Sequence, residues 1–583
     1  MARVERVARY ETPPLSLLSL ARRAEFPGDC SRRRLGGMGR DDVTLLYRVI
    51  RYIFRCIASV FYATTEVHGL DQFPPKGVPT ILCFNHGNGL ADPLVLIRKT
   101  PRMVRFCAKD SLWRTPVMNV FIRNSGAVPV YRSKDHGDKA KDLNLDVFAR
   151  VISALRNGGC LGFAPEGVSR FLPYMEQPLK TGVARIALDA VQQAAAAGEK
   201  GFCVHLAPVG LTFTHREKFR SDLCMRYCDP IKVDAASLDA HGGDVRAAAA
   251  AITAQLNEVM LSVTINAPEW DTIRLAMSAA RLHVPRGTDL TLGQYLTLVR
   301  GWVEVLKATG APAVAALRDA LGAYQSELDR YGIKCERVRR ASLVGQALPW
   351  YWCVWGVWQR AIACAALLAV AAPGLLLWLP VWTYVQRKER GLLAKGPRWN
   401  DSVAEMKMMI CGLIGIVAVV GCTSAAVFRG SLYPFLPLPY MYFTMRCYEE
   451  AVSLRHPSCQ LCLAITVRSP AHCSSPYHVG QVADARSAYS LYKLLLLSPA
   501  DMKGIVVLRT AAKTAMDGTT ALLPAGVAEH VALAADDARP TLGIDYYFPW
   551  WLARLVLLVA RRRKKDWNEV LRLRDVATMD YAH

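Results

Sequence analysis

Between residues 78 and 230, short apolar runs of strand length alternate with segments of helical spacing. The strand-like runs are 79–84, 103–107, 127–131, 160–164, 204–213 and 223–228, and helical patterns lie near 93–98, 115–123, 143–156 and 180–197. This alternation predicts an α/β domain, a largely parallel sheet flanked by helices. Residues 244–262 and much of 266–345 keep helical spacing and predict a helical extension of that domain.

The flanking segments have a different character. Val43, Leu46, Val49, Ile50, Ile53, Ile57 and Phe61 recur at helical spacing, while Arg48, Arg51 and Arg55 fall within an arc of roughly 60° on one side. A basic stripe beside a broad apolar face describes an amphipathic helix lying in a membrane interface. The same pattern also suits a helix packed on a soluble domain, and the later apolar segments favour the interface. Residues 1–40 hold nine Arg against four acidic residues and read as a flexible basic arm. A mitochondrial transit peptide is the other reading of that arm, and its acidic residues count against it. It contains no long apolar run, so a cleaved secretory signal is not expected.

Ala361 to Val385 and Met408 to Phe428 are uncharged runs of 25 and 21 residues. Each is long enough to cross roughly 30 Å of hydrocarbon. Leu348 to Gln359 is also uncharged and carries aromatic residues at 350, 351, 352 and 355. Gly430 to Met445 is apolar but contains Pro434, Pro437 and Pro439, which suits a re-entrant or interfacial segment. The stretch 386–407 has six Lys/Arg to three acidic residues, favouring the cytoplasmic side. A hairpin or re-entrant pair within 348–385, bent at Pro373-Gly374, keeps the α/β domain cytosolic and is the expected topology. A single crossing there places the domain in the lumen. Near the end, Tyr546 to Trp551 precede an apolar stretch and then Arg561-Arg-Arg-Lys-Lys565, a second candidate contact with anionic lipid. The expected organisation is a basic arm (1–40), an interfacial helix (41–70), the α/β domain with its extension (71–345), membrane-spanning or re-entrant helices (346–446) and a mostly helical region (447–583).

A formal net charge of +23 over 583 residues calls for an anionic partner: nucleic acid, anionic headgroups or phosphorylated substrates. The charge accompanies apolar spans rather than a nucleic-acid module, so nucleic acid is not expected as a partner. Seventeen scattered cysteines fit reduced thiols better than a disulfide framework. Cys459 and Cys462, with His456, His472, Cys473 and His478 nearby, come closest to a zinc pattern, but the spacing is irregular and no metal is expected.

The candidate chemistry collects after the strands. Ile81 to Phe84 ends in Asn85-His86, and a Gly-rich bend leads to Asp92-Pro93 at a helix start. This pairs an imidazole with a carboxylate at a strand-to-helix corner, a candidate general base with its orienting acid. It is equally the grammar of a helix N-cap, Asp92 capping and Pro93 in the first turn. Cations form four later clusters, three after strands and one at a helix start: Arg132 after Gly126 to Tyr131, Arg170 after Pro165-Glu166-Gly167, Lys180 at a helix start, and Arg216, Lys218 and Arg220 after Pro208 to Phe213. In open α/β sheets ligands gather beyond the carboxyl ends of strands, so this recurrence describes a phosphate pocket.

The set resembles the glycerolipid acyltransferase superfamily, the PlsC or lysophospholipid acyltransferase group. Within it, the chain is similar to the fungal-type glycerol-3-phosphate / dihydroxyacetone-phosphate acyltransferases. His86 through Asp92, Gly126 through Arg132, Pro165-Glu166-Gly167 and Leu206 through Leu211 correspond to the family's four blocks. Five residues separate His86 from Asp92, as in the fungal-type branch. Lys180-Thr-Gly182, the run His215 to Arg220 and the late apolar segments also suit that branch.

The resemblance implies direct acyl transfer from acyl-CoA, the co-substrate, to the sn-1 hydroxyl of glycerol-3-phosphate or dihydroxyacetone phosphate. It gives His86 and Asp92 the catalytic role and Arg132 the acceptor phosphate. Glu166 and Gly167 would shape the acceptor pocket, and Lys180, Arg216, Lys218 and Arg220 would bind substrate, with no metal or redox cofactor. It further implies a multi-pass protein of the endoplasmic reticulum with a cytosolic site, the mitochondrial outer membrane being the other location. The alternatives are a 1-acylglycerol-3-phosphate acyltransferase and, in another class, a non-catalytic membrane scaffold that binds lipid.

Overall fold

The computed structural model describes residues 45–114, 124–131, 133–170, 172–214, 221–284, 290–308, 310–333, 350–394, 400–431 and 496–524, with single positions such as 216, 335, 338, 440, 441 and 444. The basic arm, Arg132, Lys218, Arg220, the Cys/His group at 456–478 and the basic run 561–565 lie outside the described residues.

Helix α1 (Leu45–Phe61) runs straight into strand β1 (Tyr62–His68). Then follow β2 (Thr80–Phe84), α2 (Ala91–Lys99), β3 (Arg105–Lys109), β4 (Val128–Val130), α3 (Lys139–Arg156), β5 (Cys160–Phe163), α4 (Gly182–Ala196), β6 (Val204–Phe213), β7 (Ser221–Tyr227) and β8 (Ile231–Val233). The sheet order is β1-β7-β6-β2-β5-β3-β4, with β8 also on β6. Five of the seven pairings are parallel and only those of β6 with β7 and β8 are antiparallel, so the sheet is largely parallel. Central β2 is fully buried (Thr80 to Phe84), as a strand covered on both faces must be. On one face α3, α4 and α5 (Val245–Val263) enclose Val151, Leu155, Leu161, Ala187, Leu206 and Leu256. On the other, α1 and α2 enclose Phe61, Leu82, Leu96, Val209 and Met225.

Helix α1 corrects one expectation, its bounds. The expected interfacial helix of 41–70 ends at Phe61, and residues 62–68 form an edge strand paired with β7. The helix also packs on the domain through the buried Tyr47, Ile50, Ala58 and Phe61. Leu45, Leu46, Val49 and Tyr52 remain exposed, Leu45 by 78%. Its arginines are therefore not equivalent. Arg51 donates to the Thr100 carbonyl at 2.8 Å, while Arg48 and Arg55 are exposed. Arg51→Gln is expected to lower the apparent melting temperature of detergent-solubilised protein, at a cost of about 1–2 kcal/mol. Arg48→Gln and Arg55→Gln should leave it within a degree or two, as exposed substitutions usually do.

A second, helical core follows. Helices α6 (Trp270–His283), α7 (Leu292–Lys307) and α8 (Pro312–Tyr331) enclose Trp302, Tyr295, Leu321 and Tyr324. Glu66 of β1 joins the two cores. Its carboxylate accepts the N–H groups of Leu292 at 2.8 Å and Gly293 at 3.1 Å, at the open N-terminus of α7, and pairs with His68. These bonds hold the Glu66 carboxyl below its usual range against the opposing effect of burial.

Helix α9 (Trp350–Leu393) is a single helix of 44 residues that continues through Pro373 and Pro380. The expected hairpin within 348–385 is therefore absent. Helix α10 (Asn400–Arg429) packs beside α9, and Lys407 pairs with Glu389 at 2.6 Å. Ala369–Leu392 and Val403–Arg429 are long and apolar enough to cross a membrane. Leu376, Leu377, Leu413, Val417, Val420 and Phe428 face outward from them. At its base α10 enters the α1/α2 core, where Ala404 and Met408 are buried and Ile57 of α1 faces Gly412. Tyr440, Met441 and Thr444 lie against α9: the Tyr440 hydroxyl meets the Val370 carbonyl at 3.1 Å, Trp378 Nε1 donates to the Met441 carbonyl and Thr444 abuts Gly374. A last helix, α11 (Pro499–Asp517), packs on α6 and α8.

Candidate active site

The site is built where β2 runs out. Phe84 is the last residue paired with β6, opposite Val209. The Asn85 carboxamide then replaces a strand residue: Nδ2 donates to the Leu211 carbonyl at 3.0 Å and Oδ1 accepts the Leu211 N–H at 2.7 Å. A side-chain amide carries one donor and one acceptor spaced like a peptide group, so it extends the ladder while the main chain turns away. This fixes the direction in which His86 leaves the sheet.

His86 Nδ1 lies 3.0 Å from Asp92 Oδ2. The carboxylate is fully buried and the imidazole is 22% exposed. Asp92 does not cap α2. Leu90 occupies the N-cap and Asp92 sits inside the first turn, where its Oδ2 also accepts the Asn88 N–H at 2.9 Å. The five-residue loop between His86 and Asp92 folds back through this bond. Asn88, itself buried, donates through Nδ2 to the Arg216 carbonyl at 3.0 Å, tying the loop to the end of β6. Asp92 Oδ1 is buried with no hydrogen-bond partner among the described residues. Nearby Tyr62 has its phenol pushed well above the usual range, by burial first and then by the Asp92 charge, and so stays protonated. An ionised Asp92 accepts the Nδ1 proton, which leaves the Nε2 lone pair to take a proton.

Glu166 has a role that the sequence did not disclose. Its Oε1 accepts the His86 backbone N–H at 2.6 Å and its Oε2 accepts the Glu176 N–H at 3.1 Å. Burial raises the Glu166 pKa, and these two bonds with the charges of His86 and Arg216 oppose that rise. Glu166 thus holds the main chain of the histidine. Gly167 turns at φ 75°, and the Lys180 ammonium stands over it. Arg216 Nη1 reaches the Gly87 carbonyl at 3.5 Å and the Arg170 carbonyl at 3.1 Å, while Arg170 itself pairs with Glu176. Thus His86, Asp92, Glu166, Gly167, Lys180 and Arg216 gather at the carboxyl ends of β2, β5 and β6.

Two further groups were missed by sequence reading. Asn144 of α3 grips the backbone of Tyr131 on both sides, accepting its N–H at 3.0 Å and donating to its carbonyl at 2.7 Å. This closes the free edge of β4 one residue before Arg132. Beyond that position, His136 Nε2 bonds Asp110 Oδ2 at 3.0 Å and packs edge-on against Tyr131. No sequence signal marks either group, since both are single polar residues on otherwise ordinary helices and turns. Among the described residues no group of three or more His, Cys, Asp or Glu is disposed to hold a metal ion.

The His–Asp pair thus stands at the carboxyl end of a central parallel strand with Lys180 and Arg216 beside it, within a segment that matches a known family. Residues 64–212 match the Acyltransferase family, and residues 275–391 match the glycerol-3-phosphate acyltransferase 2 C-terminal domain. The chain thus carries an acyltransferase domain followed by that C-terminal domain.

Its curated relatives include two proteins of Saccharomyces cerevisiae. It is 24% identical to glycerol-3-phosphate O-acyltransferase 2 over 65% of this chain and 64% of the relative. It is 26% identical to glycerol-3-phosphate O-acyltransferase 1 over 45% of this chain and 35% of the relative. The chain therefore spans less than two thirds of the length of either. Among solved structures, the 1-acyl-sn-glycerophosphate acyltransferase PlsC of Thermotoga maritima aligns with 37% of this chain and 80% of its own, at 17% identity and a TM-score of 0.26.

Proposed function

We propose that this protein transfers a fatty acyl chain from acyl-CoA to the sn-1 hydroxyl of glycerol-3-phosphate, dihydroxyacetone phosphate or both. The observation that carries this reading is the 3.0 Å contact between His86 Nδ1 and the buried Asp92 Oδ2, which supports a role for Nε2 as base. Nε2 takes the hydroxyl proton as the acceptor oxygen attacks the thioester carbonyl. The tetrahedral intermediate then collapses, the C–S bond breaks, and His86 returns the proton to the departing sulfur. Asp92 stabilises the imidazolium between these steps, as the carboxylate of a hydrolase triad does. Atoms and charge balance without a redox cofactor, and no acyl-enzyme is required. The names of the two yeast relatives favour glycerol-3-phosphate as the acceptor.

The same reading makes this a multi-pass membrane protein, with α9 and α10 crossing the bilayer and the exposed face of α1 in contact with anionic lipid. An acyl chain partitions into lipid at about 0.8 kcal/mol per methylene, so a domain seated on α10 meets its donor at the surface. The α1/α2 core holds the base of α10 beside 386–407, and the positive excess of that stretch favours the cytosolic side for both, in place of the lumenal domain that a single crossing within 348–385 implied; the endoplasmic reticulum is the location we favour. Membranes containing the chain, given labelled acyl-CoA, are expected to acylate glycerol-3-phosphate or dihydroxyacetone phosphate. Transfer to lysophosphatidate alone would replace this reading with that of a 1-acylglycerol-3-phosphate acyltransferase. No transfer to any acceptor would favour a non-catalytic scaffold.

A further inference from the structure

Two arginines meet on the face of the sheet that turns away from the dyad. The dyad stands on the α1/α2 side, since Asp92 belongs to α2 and His86 packs edge-on against Phe84 of that core. Met225 and Tyr227 of β7 lie in the same core, so strand alternation sends Arg226 to the opposite face, with Cys224. There Gly210 of β6, the ladder neighbour of Arg226, admits the end of α5: a Cβ on it would lie 2.8 Å from Val263 Cγ2. Arg300 approaches from α7, within the C-terminal domain. Arg226 Nη2 lies 3.4 Å and Arg300 Nη2 2.9 Å from one oxygen, Thr297 Oγ1. Arg300 Nη1 also donates to the Ser262 carbonyl of α5 at 2.7 Å.

Neither arginine has an ion pair among the described residues, and these three bonds leave most of their N–H donors unspent. Glu66, opposite Cys224 in the ladder, does not neutralise them: its oxygens take the N–H groups of Leu292 and Gly293 and pair with His68. The Cys224 and Cys228 thiols do not either, because burial pushes them up to about 12 and about 11 and keeps them neutral. Burial, and then the Arg226 charge, pulls Arg300 down to about 10, so the two repel each other while both stay protonated. Two half-buried guanidinium groups aimed at one point without an acid form a fork for an oxyanion, and a dianion matches their summed charge. The apolar helix α10 is rooted in the α1/α2 core, on the other side of the sheet. That placement favours a water-soluble ligand over a lipid headgroup.

We propose that Arg226 and Arg300, with the Thr297 hydroxyl between them, bind the phosphate group of a water-soluble monoester at the joint between the catalytic sheet and the C-terminal domain. This site is separate from the reacting centre. Strand β7 lies two strands from β2, about 10 Å along the sheet, and Arg226 leaves its other face. One arginine comes from β7 and the other from α7, so an anion between them turns a repulsion into a shared counter-ion and fastens α7 to the sheet. Binding here requires nothing from His86 or Asp92.

The test is thermal unfolding of the full chain in phosphatidylcholine nanodiscs, with inorganic phosphate replacing chloride at constant ionic strength. Wild type is expected to gain about 3 °C or more at saturating phosphate, as a ligand of the folded state requires. In chloride, Arg226→Gln should melt as high as wild type or higher, because it gives up one 3.4 Å contact and relieves the repulsion. In phosphate it should lose most of the gain, so the order of the two proteins reverses between the anions. An arginine with a merely structural role would not produce that reversal. Arg300→Gln should lose the gain as well; if it does not fold, Arg226→Gln decides alone. An equal phosphate gain in wild type and Arg226→Gln places the anion elsewhere, at the dyad end, and overturns the site. The absence of any gain in wild type overturns it too. So does a gain seen only when phosphatidate is added to the nanodisc, which would assign the arginines to a headgroup.

Discussion

His86→Ala is expected to lower kcat for acyl transfer by about 10³–10⁴ while leaving the fold and acyl-CoA binding intact, because the proposed mechanism loses its base and the core is not opened. Asp92 should respond in a graded way that its geometry sets. Both donors, His86 Nδ1 and the Asn88 N–H, approach the same oxygen, Oδ2, and Oδ1 has no partner among the described residues. In Asp92→Asn the amide oxygen can keep both bonds with its NH₂ in the pocket of Oδ1. The tautomer survives and only the charge is lost, so a fall of about 10–10² is expected, smaller than for His86→Ala. Asp92→Ala removes the anchor as well and should approach His86→Ala, and the double alanine variant should be no worse than His86→Ala alone. Rates measured at saturating acyl-CoA check all four. A His86→Ala enzyme within tenfold of wild type would falsify the mechanism. An Asp92→Asn enzyme as damaged as His86→Ala would show that the amide turns and fixes the wrong tautomer.

The largest effect on stability is expected at the opposite end of the sheet. Arg102, 5% exposed, inserts its guanidinium among the ends of β2 and β5 and donates to the carbonyls of Pro75, Val78 and Gly158 and to Thr80 Oγ1. It binds together the loops from which the two innermost strands start. Arg102→Met fills similar volume but removes every bond of this buried guanidinium; the Pro75 and Val78 carbonyls keep the Val78 N–H and the Thr80 hydroxyl, while the buried Gly158 carbonyl loses its charged donor, at a cost of about 2–3 kcal/mol. The apparent melting temperature of solubilised protein should drop by on the order of 10 °C. Because Arg102 lies remote from His86, KM for both substrates should be unchanged in the protein that remains folded. A drop of only one or two degrees would mean that water replaces the guanidinium.

Much of the α/β framework was legible because each inner strand is buried on both faces and reads as an apolar run between turn residues. The runs 79–84, 160–164 and 204–213 fall on β2, β5 and β6 to within a residue. β1 was not legible. It follows α1 with no Gly or Pro between Phe61 and Tyr62, and its Thr-Thr-Glu-Val-His sequence has no apolar alternation, because its partners are long-range. Of the site, the proximity of His86 and Asp92 could be read from their spacing at a strand end. The position of Asp92 within the first turn could not, since Asp-Pro writes an N-cap equally well. Arg51 shows the same limit: helical periodicity put it in one stripe with Arg48 and Arg55, but only its reach to Thr100 separates it from them. Glu166 was visible as part of a turn, yet its bond to a backbone N–H 80 residues away leaves no trace in local sequence.

The joint at Glu66 bears on how the chain is made. β1 leaves the ribosome well ahead of its partners: its ladder partner β7 begins 159 residues after Tyr62, and the amides that receive its carboxylate lie 226 and 227 residues downstream. Contacts this distant form late and leave an open strand edge exposed while synthesis proceeds. Folding of the catalytic sheet therefore cannot finish until α7 has emerged. A nascent chain halted near residue 280 would hold every residue of the dyad and its cations, but with the β1 carboxylate still waiting for its helix.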